Sequence, residues 1–163
     1  MCFILAGKLN GVHEMITLTL NQIREKDPCK KSWLRLLASM DKTKADDTPI
    51  GLDYILDLLG MNDALWAIRC LPSEMSGKIR LLACDFAEPA LKYTDDPRPA
   101  EAIRIARLHA VGQATDSELA AAGDAAWYAA RDAARSAAGD AARAAATEQQ
   151  KKILRAWIME YTK

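Results

Sequence analysis

Few side chains in this sequence could do chemistry. Its histidines are His13 and His109, and its four cysteines are Cys2, Cys29, Cys70 and Cys84. His109 sits beside Leu108, with no serine or cysteine placed to form a nucleophile and base with it. It reads as a partly buried structural histidine. The cysteines lie far apart, without the close pairs of a zinc site, and a helical chain of 163 residues needs no disulfide staples. Reduced thiols and a cytoplasmic location are the expectation. Gly77-Lys78 lacks the earlier glycine of a phosphate loop. The carboxylate pairs Asp46-Asp47 and Asp95-Asp96 could in principle exchange protons. Both fall in turns, however, where aspartate bonds its own backbone. The expectation is a non-enzymatic protein with no catalytic residues, no metal site and no cofactor.

Binding chemistry is better represented. Lysine plus arginine equals aspartate plus glutamate, at 22 each, which argues against a general DNA binder and against an acidic DNA mimic. The charge is uneven, however. Residues 45–67 carry Asp46, Asp47, Asp53, Asp57 and Asp63 with no lysine or arginine, while the segment 24–44 is basic. Lys30, Lys31 and Arg35 beside Trp33 could touch phosphate, so nucleic-acid binding through residues 24–44 is the second functional reading. The simpler arrangement has Trp33 facing the core and the lysines facing water. Trp127, Tyr128, Arg131 and Arg135 are the bulky and cationic groups of an otherwise slim stretch. Aromatics with arginine are the composition of interface hot spots, so these four residues are the candidate partner-binding surface.

The elements that would position these groups read as helices. "ITLTL", Ile16 to Leu20, is the only good strand signal. Thr19 with Gln22 fits a capping box, and Asp27-Pro28 fits a cap and first-turn proline ahead of a helix with Trp33, Leu34, Leu37 and Met40 at helical spacing. Thr48-Pro49 opens the next helix, with Ile55, Leu58 and Leu59 inward, and Gly60 stops it. Asn62 caps a short helix holding Trp66 as a core residue. Pro89 should break the helix that follows, Asp95 to Pro99 should turn, and Gly112 should end the helix after that. Thr115 with Glu118 makes another capping box.

From Gly123 the chain repeats in fours, two variable residues and then two alanines. Four residues overshoot one helical turn by roughly 40°, so the alanine pairs wind around the axis and the helix is slim on nearly every side. An unbroken helix to Tyr161 would exceed ~60 Å, against a radius of gyration of about 15 Å for a domain of this size. Thr147 with Gln150 resembles a capping box, which places a break or kink near there. Ile153, Leu154, Trp157 and Ile158 then form a docking stripe.

The expected architecture is all-α. It is a single-domain bundle of about six to eight helices over residues 1–163, with a long alanine-rich helix near the C-terminus. Residues 1–15 read as an N-terminal extension, 16–112 as a short-helix core and 116–162 as the alanine-rich segment. No apolar run reaches the ~18 residues of a membrane span, so no membrane partner is expected.

Two stretches carry a resemblance. "KTKADDTPIGLDYILDLLGMNDALWAIRCL" and "RPAEAIRIARLHAVGQATDSELAAA" resemble a family of alanine-rich, all-helical immunity proteins of bacteria and phages, over roughly Ile16 to Ala146. Lys44-Ala45-Asp46-Asp47, Asp63-Ala64-Leu65-Trp66 with Arg69, and Arg98-Pro99 with Glu101-Ala102 carry it. Where the pattern has a cysteine after the tryptophan, this chain has Ala67, with Cys70 nearby. The resemblance implies a protein that works by occupying another protein. It would be an inhibitor that neutralises a toxin, or a phage anti-defence protein, such as an anti-CRISPR, that neutralises a host defence complex.

Overall fold

The computed structural model describes residues 16–123 and 140–161. The fold is all-α: eight α-helices and one two-stranded ribbon among the described residues. They are strand β1 (Thr17–Thr19), α1 (Leu20–Glu25), α2 (Lys30–Ser39), β2 (Pro49–Gly51), α3 (Leu52–Leu59), α4 (Met61–Ala67), α5 (Ser76–Ala87), α6 (Pro97–Ala110), α7 (described over 116–123) and α8 (Asp140–Glu160). Three 3-10 turns, Ile68–Cys70, Ser73–Met75 and Glu88–Tyr93, connect them. No helix among the described residues is long and apolar enough to cross a membrane. The chain forms two compact units. The first comprises Met1–Cys70 with Ala156–Lys163, and the second comprises Leu71–Arg155.

The first unit is organised by β1 and β2, which pair antiparallel with Leu18 opposite Ile50. Both side chains are buried. The Leu52 N–H donates to the Ile16 carbonyl at 3.0 Å and extends the ladder. Thr48-Pro49 therefore opens a strand, not the expected helix. α3 begins at Leu52, and its buried residues are Leu52, Ile55 and Leu56, while Leu58 and Leu59 are half-buried. The physical reason is tertiary: pairing Ile50 with Leu18 buries two branched side chains that a proline-led helix would hold apart. The capping box at α1 forms as expected. The Gln22 N–H donates to Thr19 Oγ1 at 3.1 Å, and the Thr19 N–H donates to Gln22 Oε1 at 2.8 Å. Asn21 ties the acidic loop down by donating to Asp47 Oδ1 at 2.9 Å.

Other caps differ from expectation. Cys29, not Asp27, is the N-cap of α2, and Asp27 adopts a φ of 55°. In α2 the inward residues are Leu36 and Leu37, whereas Leu34 is 55% exposed. Gly60, with a φ of 93°, both ends α3 and caps α4, so Asn62 lies inside the first turn of α4. That φ is the left-handed region where glycine lacks the Cβ penalty.

In the second unit, α5 stops at Ala87 and Pro89 occupies the first turn of the 3-10 segment, as its missing donor requires. α6 starts earlier than expected. Asp96 is its N-cap, accepting from the Arg98 N–H at 2.9 Å, and Pro97 and Pro99 sit in a first turn whose N–H groups have no helical partner anyway. Gly112, with a φ of 76°, follows the helix end. The Thr115–Glu118 capping box forms, with Glu118 N–H to Thr115 Oγ1 at 3.2 Å and Thr115 N–H to Glu118 Oε2 at 2.8 Å. Only Leu82, Cys84 and Leu154 are buried hydrophobics among the described residues of this unit. The expected break near Thr147 is absent: α8 runs through it, about 31 Å at 1.5 Å per residue. Uninterrupted intrahelical hydrogen bonding outweighs a cap that this helix does not need. Leu154, Trp157 and Ile158 are buried as the stripe predicts, and Ile153 is half-buried.

Candidate functional site

The first unit holds a cleft of about 250 Å³. One face of α2 builds one wall from Cys29, Ser32, Trp33 and Leu36, at the i, i+3, i+4, i+7 spacing that keeps side chains on one side of a helix. α3 contributes Ile55 and Leu59, one turn apart. From α4 come Asn62, Asp63, Trp66 and Ala67. Trp33 and Trp66 are both half-buried. Trp66 was expected in the core, but α4 is a short helix that turns Ala64 and Ala67 inward and leaves the indole at the cleft. The guanidinium of Arg69, which does not line the cleft, sits 5.3 Å from the Trp66 ring centroid. That is within the range of a cation–π contact.

Among the described residues, Asp63 is the only charged one lining the cleft. Cys29 is exposed at its rim. The backbone N–H groups of Ser32 and then Lys31 draw its thiol below the ordinary value, against the opposing charge of Asp63. Cys70 and Cys84 are free and buried, and burial pushes both thiols up. Lys30, Lys31, Leu34 and Arg35 are exposed on α2.

The carboxylate pairs serve the loops, as their turn setting suggests. Lys42 pairs with Asp46 and donates to Thr48 Oγ1 at 2.7 Å, while the Thr48 N–H donates to Asp46 Oδ1 at 3.1 Å. Asp96 caps α6 and is gripped by the Arg98 side chain. His109 Nε2 and Asp116 Oδ1 lie 2.6 Å apart, and the imidazole is mostly buried. A second, open hollow of about 480 Å³ lies in the second unit, against Leu81, Leu91, Ile103 and Val111. At its edge Arg107 is held by Asp85 at 2.8 Å and by Glu88 at 2.9 Å. Trp127, Tyr128, Arg131 and Arg135, the candidates from sequence, lie outside the described residues.

Helical spacing puts Trp33 on the same side of α2 as Leu37 and Met40, so the sequence by itself reads it as a core residue. Leu36, on the cleft-lining face, is itself buried. Only the placement of α4 shows the cleft.

Comparison of the chain with protein-family models, with curated proteins and with solved structures gives no match.

Proposed function

We propose that this chain is a non-enzymatic inhibitor that neutralises a partner protein by direct binding, and that the Trp33–Trp66 face of the first unit is part of its binding surface. The observation that carries this reading is the cleft itself. Two tryptophans that could have closed the core are half-buried around a concavity, beside an exposed Leu34. Tryptophan in a pocket excluded from bulk water is the residue type that contributes most at interface centres. The finer reading, a toxin-neutralising immunity protein or a phage anti-defence protein of the anti-CRISPR kind working in the cytoplasm, is supported by the family resemblance of residues 42–71 and 98–122. Trp127, Tyr128, Arg131 and Arg135 are proposed as a further part of the surface.

The exposed Lys30, Lys31 and Arg35 favour the second reading, nucleic-acid binding. It is the weaker one because the cleft beside them carries a carboxylate and, among the described residues, no cation. One experiment tests both. The tagged chain is used to capture partners from its native host, and the captured protein is purified and assayed with and without the chain. The expected result is a single protein whose activity the chain inhibits and whose capture fails with Trp66→Ala. Retention of DNA or RNA with a steep salt dependence, and inhibition of no protein, would overturn it.

A further inference from the structure

We propose that the Trp33–Trp66 cleft is a socket for one arginine side chain presented by the partner protein. This rests on the protein-binding reading above and names what the cleft recognises.

Size comes first. Pockets for small-molecule ligands run from roughly 300 to 1,000 Å³. At about 250 Å³ this cleft falls below that range and suits a single side chain. Lining chemistry comes next. Leu36, Ile55 and Leu59 offer an apolar floor for an aliphatic stem, and two indoles stand at the walls. Indole is the strongest aromatic partner for a cation.

Charge decides between an apolar and a cationic occupant. Asp63 is half-buried and lines the cleft, yet it makes no hydrogen bond and no ion pair among the described residues. Asp46, Asp47 and Asp96, by contrast, are held by neighbouring donors. Among the described residues no lysine or arginine lines the cleft to answer Asp63, and Arg69, over the Trp66 ring at 5.3 Å, lies outside the lining. A carboxylate left open beside two indoles is complementary to a group that is flat, cationic and carried on an apolar stem. Guanidinium meets all three conditions. It can meet a carboxylate with two parallel N–H donors and stack on an aromatic face, neither of which a lysine ammonium does.

The test uses the full chain and small probes, read by NMR at the indole N–H signals of Trp33 and Trp66, assigned with Trp33→Phe and Trp66→Phe. Nα-acetyl-arginine methylamide should shift both signals saturably. The citrulline analogue, which keeps the shape and loses the charge, should bind at least about tenfold more weakly, equivalent to 1.4 kcal/mol. Asp63→Asn should erase that difference while circular dichroism and the melting curve show the fold intact. Should Asp63→Asn fail to fold, the arginine-to-citrulline ratio on the wild-type chain still decides. Equal binding of the two probes, tighter binding of a norleucine analogue, or no saturable shift at Trp33 and Trp66 overturns the socket. A chain that captures and inhibits a protein partner but ignores the arginine probe loses the socket alone. A chain that binds the probe but inhibits no protein loses the inhibitor reading alone.

Discussion

Gly77 of α5 lies against the backbone of Ala110 in α6: a Cβ added at Gly77 would stand 2.7 Å from the Ala110 carbonyl oxygen. Real Cβ contacts do not come so close, and the obstructing atom is backbone. Gly77→Ala should therefore push α5 and α6 apart and destabilise the second unit, at a cost of about 1–3 kcal/mol as for overpacked cores. Denaturant unfolding measures this. An unchanged midpoint would show that the two helices separate without loss.

Trp66 and Trp157 should respond differently to truncation. Trp157 is 5% exposed and packs edge-on against Tyr161 with ring centroids 5.4 Å apart. Trp157→Ala should cost about 3–5 kcal/mol. Trp66 is half-buried, so Trp66→Ala should cost clearly less while removing partner binding. Equal destabilisation by the two substitutions, seen in thermal melts, would make Trp66 a core residue after all.

Acidification should weaken the start of α6. The Arg98 side chain, and then its backbone N–H, hold the Asp96 carboxyl at about 2, below its ordinary 3.8. Glu88, Glu101 and Glu118 are lowered as well, by Arg107, by Arg104 and by the Thr115 backbone N–H respectively. Because the folded values lie below the unfolded ones, these groups stabilise fully above about pH 4.5 and lose the effect as pH falls toward 2. The melting temperature should drop across that window, and Asp96→Asn should make the drop shallower. A melting temperature flat from pH 5 to pH 2, to within about a degree, contradicts this.

Arg107 bridges α6 to Asp85 and Glu88 with its side chain 37% exposed. Such partly exposed networks are worth little and are screened by salt. Arg107→Met should cost about 1 kcal/mol or less at low salt, and the loss should shrink as salt is raised. A salt-independent loss would mean that the alkyl stem, not the charge, carries the effect.

Arg131→Glu combined with Arg135→Glu should leave helix content and melting temperature nearly unchanged while abolishing partner binding. A double variant that folds and inhibits at wild-type strength confines the surface to the first unit.

The sequence alone determined the features that depend on a few neighbouring residues. Thr19 with Gln22 and Thr115 with Glu118 each close a capping box within four residues, where the chain also begins a helix. Pro89 and Gly112 mark the ends of α5 and α6 for the same reason, since a missing donor or a left-handed φ acts where it stands. The all-α class follows from the sum of such local signals.

Only the tertiary structure decided what depends on residues far apart in the chain. Pro49–Gly51 became a strand because Leu18, more than 30 positions earlier, offered Ile50 a buried partner. Leu34 faces water and Trp33 a cleft because α3 and α4 lie on the Trp33 and Leu36 side of α2, which helical spacing alone does not specify. Thr147 did not break α8, because a cap acts only where the helix has already ended. The cleft is the clearest case: Cys29, Trp33, Ile55, Asp63 and Trp66 come from three helices. Their meeting depends on the angles between those helices, a quantity no local run of residues encodes.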